Sequence, residues 1–420
     1  MFGWKSIIRR VATALGPGLI TGAADDDPSG IATYSQAGAQ FGLTLTWTML
    51  LTLPFMAAIQ IISACIGCQT QKGIAHNIGD RLPRLVVLLL VALLITANTI
   101  NIAADPAAMG DALALVISGP SLFYAIAFGL ICLLAEVCVP YHRYASFLKF
   151  LTLVLFVYVA VAFTVEVPWR SVLIATIMPR VTLDHDLLLM IVAVFGTTIS
   201  PYLFFWQASQ EAEESRLSHR RMHAANPQEN YFTQISVDTW IGMLVSNLIA
   251  FFIIVATAAT LNAHGITRID TAAQAAQALR PIAGELAFAL FAMGIIGTGL
   301  LAVPVLAGSA AYAVAEAFGM PGSLELPANR ALGFYAIVGA ATLGGGALTA
   351  TKIDPIAMLF WTAVINGIAA VPIMIAMMLV ISGSANAKVF SIPRWLRLLG
   401  WLGSGLMLLA TGLLTWSYFG

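Results

Sequence analysis

Three consecutive carboxylates, Asp25, Asp26 and Asp27, stand directly before Pro28, Ser29 and Gly30 inside an otherwise apolar segment. Pro28 removes an amide donor and clashes with the preceding helical turn, and Ser29 and Gly30 weaken the helix further. Unwound backbone at bilayer depth is tolerated only where it is buried in protein or lines a wet cavity. A carboxylate there costs about 3 kcal/mol on insertion scales unless a partner compensates it. No Lys or Arg follows within ten residues. A second interruption of the same kind runs from Phe195 to Phe204, where Gly196, Thr197, Thr198, Ser200 and Pro201 break another apolar run. Either interruption alone could be an ordinary proline kink; together, with carboxylates at one of them, they point to a cation site. Asp27 supplies charge directly before Pro28. Carbonyls freed near Asp26 and Thr197 supply neutral oxygens, and Ser200 adds a hydroxyl. Hard divalent cations take such oxygen ligands, and Mg²⁺ keeps several waters while using one or two carboxylates. Neither break holds a thioether or imidazole, which argues against a soft-ligand site. The outer ones of the three aspartates are also candidates to cap the helix that restarts after Gly30.

The elements that must position these residues are membrane spans. The 420 residues are 60% hydrophobic and 10% charged, with a mean hydropathy of +0.89, whereas soluble domains carry about 25% charged residues. Zero net charge gives no electrostatic case for a nucleic-acid partner. A hydrocarbon core about 30 Å thick needs about 20 apolar residues per helix. That ruler predicts about eleven spans: 12–41, 45–68, 85–117, 121–139, 147–166, 187–212, 236–261, 284–316, 331–349, 354–382 and 397–418. The polar stretch 211–234, opening with Glu211, Glu213 and Glu214, is expected to be a solvated connector. The breaks fall in spans one and six, five apart. The expected fold is therefore an all-α integral membrane protein with a five-plus-five, LeuT-like inverted repeat and its site between the breaks. One transmembrane domain fills 1–420, with repeats at about 12–166 and 187–382 and an extra helix at 397–418.

With the N-terminus cytoplasmic, 15 of the 20 Lys and Arg fall on inner segments, as the positive-inside rule requires. That alternation puts the C-terminus outside. No signal-peptide cleavage site follows the first short apolar run. Cys65 and Cys68 have the spacing of half a zinc site, but no second pair completes it. With Cys132 and Cys138 they are expected to be small packing residues.

These residues resemble the NRAMP family of divalent-metal transporters, whose first helix carries Asp-Pro-Gly-Asn and whose sixth carries Met-Pro-His-Asn. The matching stretches are Asp27-Pro28-Ser29-Gly30 and Ser200-Pro201-Tyr202-Leu203. Similarity extends through Gln60–Gly73, Ala103–Asp105 and Phe288–Gly308. The resemblance implies that the metal-binding Asp is Asp27. The family's Asn falls on Gly30, its Met on Ser200, and its two His on Tyr202 and Gln207. In the third helix one acidic residue is retained as Asp105, while others fall on Asn98 and Ala108. The polar residue of the tenth helix aligns loosely with Asn366. This pattern is similar to the NRAMP-related magnesium branch, which admits a more hydrated ion without proton coupling.

The resulting expectation is transport of Mg²⁺ or Mn²⁺ by alternating access across a bacterial inner membrane, without proton coupling. Proton-coupled Mn²⁺/Fe²⁺ symport is the alternative within the family. A cation-coupled amino-acid carrier on the same fold is the alternative outside it, though three aspartates would repel a substrate carboxylate. No Ser/His/Asp set, HExxH or Gly-rich phosphate loop suggests an enzyme. No resident cofactor and no obligate protein partner are expected; the partners are the metal substrate and the lipid bilayer.

Overall fold

Prolines divide the chain at the two places that matter most. In the computed structural model, which describes residues 17–139, 153–179, 184–221, 228–324, 326, 328–349, 354–382, 390 and 392–419, the first span is two helices. They are α1 (Pro17–Asp25) and α2 (Pro28–Phe41). Pro28 sits at the start of α2, where its missing amide is no loss and its fixed φ suits the helix. The sixth span is likewise divided into helices His185–Thr198 and Pro201–Arg221. Between these lie α3 (Thr46–Thr70), α4 (Arg84–Ala114), α5 (Ser121–Cys138), α6 (Phe156–Thr164) and α7 (Trp169–Ile177). The two halves of the sixth span are α8 and α9. They are followed by α10 (Gln228–Thr260), α11 (Ala287–Phe318), α12 (Leu332–Thr349), α13 (Pro355–Ser382) and α14 (Arg394–Phe419).

Among the described residues, eight helical segments are long and apolar enough to cross a membrane, or nine if α6 and α7, bent by 116°, count as one span. That differs from the eleven segments expected. Length alone merges the first two, because Pro28–Thr70 is nearly continuously helical. A 3₁₀ stretch and Gly42, at φ 57°, separate α2 from α3 there. Helix α12 falls just short of a full span, and residues 147–152 of the fifth predicted span lie outside those described. The large apolar faces of α4, α5, α12 and α14 look outward: Leu85, Phe123, Leu343 and Trp416 are each exposed. The molecule is an integral membrane protein whose exposed surface is greasy where lipid would be.

One expectation fails. The stretch opening at Glu211 is not a solvated connector, because α9 runs on to Arg221. Ala208, Glu211, Ala212 and Ser215 keep helical spacing along its buried face. Ser215 donates to the Cys68 carbonyl at 3.1 Å, and Glu211 is 2% exposed. Residues 222–227 of that stretch lie outside those described.

Small residues let the broken helices approach their supports. A side chain on Gly22 of α1 would overlap the backbone of Gly242 in α10. On Gly196 of α8 it would collide with the Ala363 carbonyl and Gly367 of α13. On Gly67 of α3 it would strike the Ala208 carbonyl of α9. Where no hydrophobic force separates helix from lipid, such close packing is what holds helices together. On Gly38 of α2 a side chain would run into Thr257 and the Ile254 carbonyl of α10, so each half-helix at a break is gripped by a continuous one. Cys65 and Cys132 are buried among the packed helices, and Cys138 is exposed.

Candidate functional site

Asp27 is the residue on which the first break turns. Its backbone is extended, and it serves as the N-cap of α2: Oδ1 accepts from the Gly30 amide at 2.7 Å and the Ser29 hydroxyl at 2.9 Å. Asp25 and Asp26 do not cap the restarting helix. Both instead face α10, where the Ser246 hydroxyl lies 2.7 Å from Asp25 Oδ2 and 3.1 Å from Asp26 Oδ1. All three carboxylates are buried, and among the described residues none of them forms a salt bridge with a Lys, Arg or His.

The second break solves its backbone problem without charge. Ser200 donates back to the carbonyls of Gly196 and Thr197, each at 2.9 Å, closing the end of α8. Its oxygen lone pairs remain available as acceptors. Thr197 lies beside the first break, since a Cβ on Gly30 would stand 3.1 Å from its Oγ1. The same Cβ would be 3.3 Å from the Tyr34 ring, so the Asn that the family carries here would need its neighbours to shift.

Tyr202 joins the two breaks. Its hydroxyl, from the first turn of α9, lies 3.0 Å from the Ala24 carbonyl and 3.3 Å from Asp27 Oδ2. Gln60 and Ser63 of α3 hold that turn from the other side, donating to the carbonyls of Leu203 and Phe204 at 2.9 and 2.5 Å. The C-terminal ends of α1 and α8 meet in this region, and helix C-termini carry partial negative charge favourable to a cation.

The remaining expected residues separate into two groups. Asp105 of α4 is fully buried and feels the charge of Asp27, so it belongs to the same electrostatic neighbourhood. Asn366 of α13 is buried beside Gly367, which packs on Gly196 next to the second break. Neither polar atom of Asn366 finds a hydrogen-bond partner among the described residues. The other two lie away from the junction. Asn98 donates to the Leu306 carbonyl and Ser309 of α11 at 2.9 and 2.7 Å. Gln207 donates to Thr239 of α10 at 3.0 Å.

Sequence reasoning missed Ser246, although a signal existed. Gly242 and Ser246 form a small-x-x-x-small pair on α10, the mark of a close helix approach. It also passed over Gln60 and Ser63 as clamps. Among the described residues, no three His, Cys, Asp or Glu side chains converge as a metal cluster.

Comparison with known proteins bears on the family and the fold. The family described as natural resistance-associated macrophage protein-like, Nramp, matches residues 18–417. A divalent metal cation transporter MntH of Aeromonas hydrophila is 26% identical over 301 residues, covering 69% of each chain. Its namesake from Yersinia enterocolitica is 28% identical over 306 residues, covering 70% of each. Both relatives are transporters, not enzymes. A crystal structure of the Eremococcus coleocola manganese transporter superposes with a TM-score of 0.76 at 16% identity, covering 98% of this chain and 87% of that one. Mhp1, a nucleobase-cation-symport-1 family transporter, superposes at 0.55 and 13% identity, covering 96% and 92%. At such identities the likeness establishes the fold, which is the five-plus-five inverted repeat with broken first and sixth helices.

Proposed function

Because this chain belongs to the Nramp family, we propose that it carries a divalent metal cation, Mg²⁺ or Mn²⁺, across a bacterial plasma membrane by alternating access. The carrying observation is the junction of the two breaks. There the uncompensated carboxylate of Asp27 meets the ends of α1 and α8, and Tyr202 bridges them. Asp27 is the charged ligand. Carbonyls near Asp26 and Thr197, the Ser200 hydroxyl and Asn366 supply neutral oxygens, and Gly30 keeps the space between the breaks free of a side chain. A single direct carboxylate favours an ion that retains water, which favours Mg²⁺ over a stripped transition metal. The repeats at about 12–166 and 187–382 rock about this site, with the N-terminus cytoplasmic and the C-terminus outside.

Transport is not coupled to protons in this reading. A relay needs titratable groups along a path from the site. Tyr202 is spent bridging the breaks, while Gln207 and Asn98, which do not titrate, tie α9 to α10 and α4 to α11. The membrane potential then drives uptake. It is worth about 2.3 kcal/mol per charge per 100 mV, so a divalent ion gains about 4.6 kcal/mol, on the order of thousand-fold accumulation. Proteoliposome uptake of Mg²⁺, Mn²⁺, Ca²⁺ and Zn²⁺, with a pH-sensitive dye inside, tests both statements. Uptake of Mg²⁺ and Mn²⁺ without acidification is expected. Metal-dependent acidification would restore the proton-symport alternative, and no divalent uptake at all would end the proposal.

A further inference from the structure

Two side chains on α4 have polar atoms with nothing to bond. Asp105 and Asn101 are fully buried, and neither carboxylate oxygen nor either amide atom finds a hydrogen-bond partner among the described residues. Leaving such a group unsatisfied costs about 1–3 kcal/mol. The two are one turn apart, on the helix face that also carries Asn98 and Met109. Both flanking residues are anchored on α11. Asn98 bonds Leu306 and Ser309, and Met109 closes on Gly299. A Cβ at Gly299 would also stand 3.3 Å from Pro28, the residue after Asp27. The polar strip of α4 therefore runs along α11 toward the first break, and the charge of Asp27 reaches Asp105 while both reach Tyr202.

We propose that Asn101 and Asp105 form an outer-sphere half-site that binds the water shell of a hydrated divalent cation whose charge rests on Asp27. The inference rests on the transport reading above. Water on a cation turns its lone pairs to the ion and presents only O–H donors. Asp105 offers two acceptor oxygens and Asn101 one, and among the described residues no Lys or Arg forms a salt bridge with Asp105.

The probe is hexaamminecobalt(III), whose inert ammine ligands present N–H donors as bound waters do and cannot be stripped. It is added to proteoliposomes of the full chain during Mg²⁺ uptake. It should inhibit the wild type, and Asp105→Asn or Asn101→Leu should raise the half-inhibiting concentration tenfold or more. Asn101→Asp, which keeps the acceptors, should retain inhibition and guards against a simple folding defect. Mg²⁺ uptake should fall further than Mn²⁺ uptake in the two loss variants. Inhibition at the wild-type concentration in both variants would overturn the proposal, as would no inhibition of the wild type. A new dependence of wild-type uptake on Na⁺, lost in Asp105→Asn, would overturn it in favour of a bare monovalent ion. If the wild type moves no divalent ion, the transport reading itself has failed. If it does, and only Asp27→Asn stops it, the failure belongs to the α4 half-site alone.

Discussion

The two broken helices solve the same problem with different chemistry. At the first, the Asp27 carboxylate caps α2, and three carboxylates are buried without a salt-bridge partner among the described residues. At the second, the neutral Ser200 hydroxyl closes α8 against its own carbonyls. A break that needed only to satisfy backbone could have used Ser at both places. The charge at one break is therefore an excess over structural need, and an excess of buried negative charge is what a cation carrier requires.

Four substitutions sharpen that contrast, from the largest expected effect downward. Asp27→Asn keeps the shape and removes the charge. Removing an outer-shell partner of a metal already costs about 10–100-fold, so losing the ligand charge should cut uptake by more than about 100-fold while the protein stays folded. Proteoliposome uptake beside size-exclusion chromatography would reveal this, and near-normal uptake would contradict it. Gly196→Val attacks the support of the second break. Its side chain would collide with Ala363 and Gly367, at a cost of about 1–3 kcal/mol or more. A lowered melting temperature together with lost uptake is expected; a melting temperature equal to wild type would mean that α8 and α13 do not pack as described.

Ser200→Met exchanges an oxygen for a thioether at the uncharged break. Soft donors favour soft metals, so preference should move from Mg²⁺ toward Mn²⁺ or Cd²⁺ by about tenfold in a competition assay. Unchanged relative affinities would place Ser200 outside the ion's reach. Ser246→Ala removes the hydroxyl shared by Asp25 and Asp26 and leaves buried oxygens without their donor, a loss of about 1–3 kcal/mol. It should lower thermal stability without altering metal preference. A changed preference would make Asp25 or Asp26 a direct ligand.

Both breaks were legible in the sequence because proline and glycine disrupt helices locally, whatever packs around them. Asp27 could be singled out on the same ground, as the carboxylate beside Pro28. The fold followed from the five-span interval between the breaks. What stayed hidden depended on partners distant in the chain. Tyr202 bridges the breaks from a turn of α9 that Gln60 and Ser63, about 140 positions earlier, clamp. Asp25 and Asp26 turn away from α2 toward Ser246, more than 200 positions later in the chain. Hydropathy mistook the end of α9 for a loop, because Glu211 is charged yet buried against a neighbouring helix. The number of spans was blurred by Gly42, where a tight turn leaves two helices nearly continuous.

The central claim is that a divalent cation rests on Asp27 between the two breaks. Crystals of the full chain soaked in Mn²⁺ and measured near the manganese absorption edge test it most directly. An anomalous peak beside Asp27 and the Thr197 carbonyl, lost in Asp27→Asn crystals, is the predicted result. A peak that survives that substitution, or one that appears only beside other carboxylates, would contradict the account.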